Sequence, residues 1–328
     1  MAKTNKHIII VRSPNKRLSS MSKESGDAIF QALSKYFTKV DMVSVSGIND
    51  LKSVILLKPD LVFLGAKYIA IDPNRTIDDA NKVWLSEYFD KFHIAYTGSM
   101  RPAHELEQDK PLAKLRVLES NLMTSPFYVL EPDQKFTKGN SKISFPLFIK
   151  PANRGGGLGI DSGSVVNSIT QLEKKVNLIH KNLKSSVLIE KYLSGREFSV
   201  AILRKDGADD YFLMPIELIA PADKKGIRIL GQRTKSLNAE EDLLVGEGII
   251  KTKITALAIK VFKALGARDY GRIDIRLDEE GTPHFLEANL MPSLISGYGS
   301  FPKACLKNIG VDYENMILRI VSMGLSRS

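Results

Sequence analysis

A chain of 328 residues, 43% of them hydrophobic and 26% charged, can bury enough core for two or three compact units rather than one. Its net charge of +10 raises nucleic acid as a partner, but the basic residues are scattered among acidic ones without an Arg-rich tail or a recognisable nucleic-acid module. A polyanionic small molecule fits that field better, and the single cysteine, Cys305, excludes an internal disulfide and a cysteine-built metal site.

Cys305 reads as a small buried apolar residue in a protein of the reducing cytoplasm. Val54 to Ile71, the richest apolar stretch, is broken by Lys58, Asp60 and Lys67, so no membrane span is expected. The opening MAKTNKHIIIVR has too short an apolar run for a signal peptide.

In chain order, His7 to Val11 is an apolar run typical of a buried parallel strand, followed by a polar loop to Met21. Ile29, Phe30, Leu33 and Phe37 recur at helical spacing, Val40 to Val45 and Leu61 to Leu64 read as strands, and Ile48 to Leu57 is helical between them. Ile77 to Phe89 predicts another helix, with Trp84, Leu85, Tyr88 and Phe89 in the core, and Ile94 to Tyr96 a last strand. That alternation describes a doubly wound N-terminal domain of about 100 residues.

Asp109 to Leu118 reads as a helix with Leu112, Leu115 and Leu118 on its apolar side and Lys110 and Lys114 on its polar side. Phe127 to Leu130 and Leu147 to Lys150 are short strands. After them comes NRGGGLGIDSG from Asn153, whose Gly155, Gly156 and Gly157 let backbone N–H groups approach a phosphate; an ordinary flexible turn is the alternative. Leu172 to Leu183 is helical, Val187 to Tyr192, Glu197 to Leu203 and Tyr211 to Ile219 are extended, and Ala220 to Glu247 is long and polar, as mobile lids are. Ile254 to Leu265 is a well-patterned helix stopped by Gly266, and Tyr313 to Val321 a closing helix in which Met316 packs.

Between those two helices lies Tyr270 to Ser293, YGRIDIRLDEEGTPHFLEANLMPS. Arg272, Asp274, Arg276 and Asp278 alternate with Ile273, Ile275 and Leu277, and after the turn at Glu279 to Gly281 the residues Phe285, Glu287 and Asn289 share a face. Paired in ordinary register, Asp274 approaches Glu287 and Asn289, a set of hard oxygens suited to Mg²⁺ carrying phosphates, with Arg272 on the same face. A solvated hairpin with its charges in water is the alternative.

Taken together and in order, YTGS at 96–99, Asp109-Lys110 with Lys114, FPLFIKP at 145–151, the glycine loop, VLIEKYLSGREFSVAIL at 187–203, GRIDIRLD at 271–278 and LEANLMP at 286–292 resemble an ATP-grasp enzyme of the D-alanine–D-alanine ligase family. The resemblance implies an α/β fold, α+β in the ATP-grasp part, with three domains expected at 1–99, 100–190 and 191–328. It also implies ATP as the bound nucleotide, with Lys110 and Lys150 on its phosphates, the glycine loop closing over them, and Lys235, the lysine of the family's mobile loop, binding the nucleotide. Glu190, Lys191 and Leu193 would frame adenine and Glu197 the ribose. Two Mg²⁺ ions, or Mn²⁺ in their place, would lie on Asp274, Glu287 and Asn289. Arg272 and a backbone N–H of Ser293 would stabilise the tetrahedral oxyanion, a contact worth about 3 kcal/mol of barrier. The expected partners are a small carboxylate and a small amine, and homodimers are common in the family.

Several positions depart from the family's pattern. Ser20 stands near the place of the family glutamate that grips the first substrate's ammonium, Gly156 replaces the glycine-loop serine, and Ser236 after Lys235 replaces a tyrosine. LGAKYIAIDPNRTIDDAN replaces the family's HG…GEDG segment, Pro292-Ser293 its PG, and Ser296-Gly297-Tyr298 its acceptor-side serine region. The expected activity is therefore an ATP-dependent carboxylate–amine ligase whose donor is not standard D-alanine. D-alanyl-D-alanine synthesis for peptidoglycan precursors is the alternative, and a nucleotide-binding partner protein without catalysis is a second, which the complete lysine and carboxylate set disfavours.

Overall fold

The computed structural model describes residues 2–327 apart from 15–20, 73–80, 133, 135, 137–142, 206, 208–209, 224–225, 233, 235–236 and 238. Ser20, Lys235 and Ser236 thus lie outside the described residues. β1 (Thr4–Arg12), β2 (Phe37–Ser44) and β3 (Leu61–Leu64) form a parallel sheet in the order β2-β1-β3. The run Ile8 to Val11 is wholly buried because both faces are covered, which is why it reads as continuous rather than alternating. α1 (Lys23–Ser34) starts where the Ser22 hydroxyl accepts the Ser25 N–H, and α2 (Ile48–Leu56) follows β2.

Two expectations in this part change. The strand expected at 94–96 shrinks to one bridge between Val62 and Tyr96. Of the helix expected at 77–89, the part before residue 81 lies outside the described residues, and Val83–Trp84 is instead a strand, β5, paired with β4 (Tyr68–Ile69). Trp84 meets Tyr68 edge-on at 5.1 Å, and that contact holds the pair in place of a helical turn. Only α3 (Leu85–Lys91) is helical, and its Leu85 and Phe89 are in the core as expected.

α4 (Arg101–Gln108) begins with Pro102 in its first turn, and α5 (Lys110–Glu119) begins where Asp109 accepts the Leu112 N–H at 2.9 Å. α5 is turned the opposite way from its leucine pattern. Leu112, Leu115 and Leu118 are each about half exposed, while Lys110, Ala113, Lys114 and Val117 face inward.

A four-stranded antiparallel sheet follows, β6 (Phe127–Leu130), β7 (Leu147–Pro151), β8 (Val165–Val166) and β9 (Val187–Lys191) in the order β6-β9-β7-β8, with α6 (Ile169–Leu183) packed on Ile149 and Ile189. A five-stranded antiparallel sheet comprises β10 (Glu197–Arg204), β11 (Tyr211–Ile219), β12 (Glu241–Leu244), β13 (Tyr270–Leu277) and β14 (Pro283–Asn289), ordered β12-β11-β10-β13-β14. β12 lies inside the stretch expected to be only a polar lid.

α7 (Ile249–Ala264) buries Val261 and Phe262 against Phe198 and Ile273 on one face of that sheet. The opposite face shares a core with α8 (Ser300–Ile309), α9 (Tyr313–Leu325) and the N-terminal sheet: Ala201, Leu203 and Met214 join Ile8, Ile10, Met316 and the buried Cys305. α9 approaches β3 so closely that a Cβ on Gly324 would stand 2.5 Å from Leu61 Cδ1. Buried Asp269 adds a polar tie, accepting from Gly98 N–H at 2.9 Å and from Arg327 Nη2 at 2.7 Å.

Candidate active site

The β13–β14 ladder sets Asp274 opposite Glu287 and Arg272 opposite Asn289, so the four side chains share one face. The expected alternation fails just beyond. The register shifts so that Ile275 pairs with Phe285, leaving Leu286 as an extra residue, a β-bulge. Phe285 is consequently buried in the core with Ile275 rather than sharing the face of Glu287, and Leu286 lines the cleft.

Asp274 is closely held. Ser199, its partner across β10, donates to Oδ1 at 2.8 Å, and Arg272 Nη2 and Asn289 Nδ2 donate to Oδ2 at 3.0 and 3.3 Å. Arg272 Nη1 also reaches Ser300 Oγ at 2.5 Å. Burial opposes the guanidinium's charge, but the Asp274 and Glu287 carboxylates outweigh it and raise its pKa. Among the described residues no three of His, Cys, Asp and Glu converge as a metal cage. The oxygen set here is two carboxylates and an amide, which fits a hard cation completing its shell with phosphate oxygens and water.

Facing this hairpin, Glu190 sits between two lysines: Oε1 lies 2.6 Å from Lys114 Nζ and Oε2 2.7 Å from Lys150 Nζ. Burial disfavours the Glu190 charge, yet the two ammonium groups hold its pKa at about 2. Burial pulls Lys114 down to about 8, whereas at Lys150 the Glu190 and Glu287 charges overcome burial and raise the pKa. Lys114 also donates to Thr124 Oγ1 at 2.6 Å, so it braces the site from behind. Lys110 donates to the Arg154 carbonyl and stands 3.9 Å from Glu287 Oε2, linking the glycine loop to the hairpin. Lys191 Nζ donates to Phe145 O at 3.2 Å, Leu193 is buried, and Glu197 accepts from Arg276 Nη1 at 2.9 Å.

The glycine loop is shaped by contact as well as by flexibility. Gly157 has φ +75°, and a Cβ there would stand 2.9 Å from Gln232 N; one on Gly231 would stand 2.6 Å from Ile160 O. The loop therefore packs directly on the segment that follows β11, while Gly155 and Gly156 have open space where a Cβ would go. Every predicted site residue that the structure describes lines one cleft of about 1040 Å³.

Residues 113–322 match the family model described as D-ala D-ala ligase C-terminus. The chain belongs to the D-alanine–D-alanine ligase family. It is 30% identical over 232 residues to a D-alanine–D-alanine ligase of Bordetella petrii, covering 70% of this chain and 68% of that one. A ligase of the same name from Aquifex aeolicus is 27% identical over 320 residues, 96% of this chain and 99% of its own. The crystal structure of D-alanine–D-alanine ligase from Bacillus anthracis complexed with ATP superposes with a TM-score of 0.75 over 98% of both chains at 19% identity, a likeness of fold. As a member of this family the protein is an ATP-grasp ligase.

Within this D-alanine–D-alanine ligase scaffold, several cleft residues carry no local sequence signal for their part. Ser199 and Ser300 look like ordinary serines, and only the sheet register and the start of α8 bring them to Asp274 and Arg272. Lys114 was legible as the second lysine of the 110/114 spacing, but its buried partner was not. Lys67 and Glu107 form an ion pair of 2.7 Å at the edge of the cleft, from segments whose spacing suggests no pairing.

Proposed function

We propose that the protein is an ATP-dependent carboxylate–amine ligase that forms an amide through an acyl phosphate, releases ADP and phosphate, and takes a donor other than standard D-alanine. The observation that supports this reading is the facing of two sets across one cleft: Lys110 and Lys150 on one side, Arg272 with Asp274, Glu287 and Asn289 on the other. ATP phosphates would lie against Lys110 and Lys150 beneath Gly155, Gly156 and Gly157. Glu190, Lys191 and Leu193 would frame adenine, and Glu197 the ribose; Lys235 is assigned to nucleotide binding by the family pattern alone. Asp274, Glu287 and Asn289 would hold Mg²⁺, expected as two ions, which when bound neutralises phosphate charge and orients the γ-phosphoryl group.

A carboxylate oxygen of the donor attacks the γ-phosphorus as the bond to ADP breaks. The amine then adds to the carbonyl carbon, Arg272 and the Ser293 N–H stabilise the oxyanion, and phosphate leaves. By the family pattern, Ser20, Gly156, Ser236 and the 64–81 segment stand at positions that cooperate in first-substrate binding or loop closure, and their departure together favours a changed donor. The standard reaction is the second reading, favoured by the Aquifex aeolicus relative that matches nearly end to end.

The test is nucleotide analysis of the purified protein with Mg²⁺-ATP and either D-alanine alone or pools of small acids and amines. ADP and phosphate should appear with a pool and not with D-alanine alone. AMP as the sole product would refute acyl-phosphate chemistry, and full turnover on D-alanine would establish the standard reaction. The units 1–99, 100–190 and 191–328, a cytoplasmic location and a homodimer belong to the same proposal. Among the described residues no helix is long and apolar enough to cross a membrane.

A further inference from the structure

Different charged groups line the cleft near the two edges of the five-stranded sheet, β14 and β12. On the side of the N-terminal sheet, Lys67 Nζ lies 2.7 Å from Glu107 Oε1. That same oxygen accepts the Leu290 N–H at 2.9 Å, and Oε2 meets His104 Nδ1 at 2.9 Å. The Glu107 side chain is only 5% exposed, so both its oxygens are engaged within the protein. Both residues line the cleft, and the Lys67 ammonium has three N–H donors, of which one is given to Glu107. Leu290 directly follows Asn289, so this cation is tethered to the strand end that carries the metal-type oxygens.

The other flank carries the carboxylates Glu240 and Asp242, the latter paired with Lys303 at 2.6 Å. Glu240 lines the cleft, and its Oε2 is buried with no hydrogen-bond partner among the described residues. It stands near enough to Tyr298 that, after burial itself, its charge is what raises the phenol's pKa. A carboxylate oxygen without a donor suits the N–H groups of an amine. The amine substrate would then sit at the Glu240 flank and the carboxylate substrate at the Lys67 flank.

We infer that the carboxylate substrate carries an oxygen group, a hydroxyl or a second carboxylate, where an α-amino acid carries its ammonium, and that Lys67 selects it. An ammonium in that position would face a cation and find the Glu107 oxygens already engaged. This rests on the ligase reading and names the donor class for it.

The experiment replaces the amine with hydroxylamine, so the donor is examined whatever the natural acceptor. The acid attacks ATP to give an acyl phosphate and ADP. Hydroxylamine nitrogen then forms a C–N bond as the C–O bond to the phosphoryl group breaks, leaving a hydroxamate and phosphate. Full-length protein with Mg²⁺-ATP is given 2-hydroxy acids and dicarboxylic acids, and in parallel the D- and L-amino acids of matching carbon skeleton. The oxygen-bearing acids should yield hydroxamate with kcat/KM at least roughly tenfold above the amino acids. Lys67→Gln, which keeps an N–H donor for Glu107 but removes the charge, should raise KM for the favoured acid by roughly tenfold and leave KM for ATP within about twofold.

Amino acids used as well as the oxygen-bearing acids, or a Lys67→Gln effect equal for both sets, would overturn the inference and leave the ligase reading standing. No ADP or hydroxamate from any acid, with ATP still bound, would overturn both.

Discussion

Glu190 carries a charge that must be matched on both sides, since a carboxylate buried between Lys114 and Lys150 has no water to fall back on. Its folded pKa of about 2 lies below the ordinary glutamate value of 4.5. The stability this carboxylate contributes is therefore complete above about pH 4.5 and is lost as the pH falls towards 2, because the unfolded chain takes up the proton first. Glu107, also at about 2, adds to the same window. Thermal unfolding midpoints measured between pH 2 and 6 should fall through that range, and Glu190→Gln should flatten the fall while lowering the midpoint at neutral pH. A profile unchanged in shape would mean that the pair does not govern acid stability.

The proposed reaction gives two cations of the cleft different roles. Lys150 is paired with Glu190, whereas Arg272 is fastened to Asp274 and Ser300 at the hairpin. Lys150→Ala should weaken ATP binding measured by titration calorimetry. Arg272→Ala should lower kcat by about 100-fold, the usual loss for one oxyanion contact, with ATP affinity nearly unchanged. Parallel losses in binding and turnover for both variants would contradict that division.

At the level of the element, α5 shows how far a local pattern can mislead. Leucines at 112, 115 and 118 make a plausible buried stripe, but a lysine was drawn inward by Glu190, a residue of the four-stranded sheet 76 positions beyond Lys114. Periodicity reports hydrophobicity along one helix and carries no record of a distant counter-charge. The hairpin was far more legible, because alternation and the turn at 279–281 determine which residues oppose one another. Only the bulge at Leu286 was hidden, since an extra residue leaves no compositional trace. The parallel strand at Ile8 to Val11 and the sheet strands Phe127–Leu130 and Tyr211–Ile219 were also readable from their runs of apolar and β-branched residues. α4 and α8 were not, the first having few apolar residues and the second following closely on Ser296-Gly297-Tyr298 in a stretch to which no element was assigned.

The inverted helix makes its own prediction. Leu115→Gln, on the exposed side, should change unfolding free energy by no more than about 0.5 kcal/mol. Lys114→Ala should cost about 3–5 kcal/mol, since it leaves Glu190 one cation short in a buried site. Urea titrations compare the two; a larger loss at Leu115 than at Lys114 would restore the orientation that the leucines suggest.

Over the whole molecule, the four-stranded sheet contributes Lys150, Glu190 and the glycine loop, and the five-stranded sheet contributes the Arg272–Asn289 hairpin and the segment from Ile227 to Gln232. The two halves meet over the cleft where Gly157 and Gly231 allow backbone to pass backbone. A methyl at Gly231 would stand 2.6 Å from the Ile160 carbonyl, a neighbour that cannot swing aside as a side chain could. Gly231→Ala should therefore part the loops and admit water, which hydrolyses an acyl phosphate before the amine reaches it. The readout is the ratio of ADP released to amide formed with both substrates present. It should sit near one for the native chain and rise for Gly231→Ala. Gly155→Ala, whose added methyl meets nothing within 4 Å, should leave the ratio where it was. If both substitutions raise it equally, the loop acts through its flexibility and not through the seal; if neither does, water is excluded by some other part of the cleft.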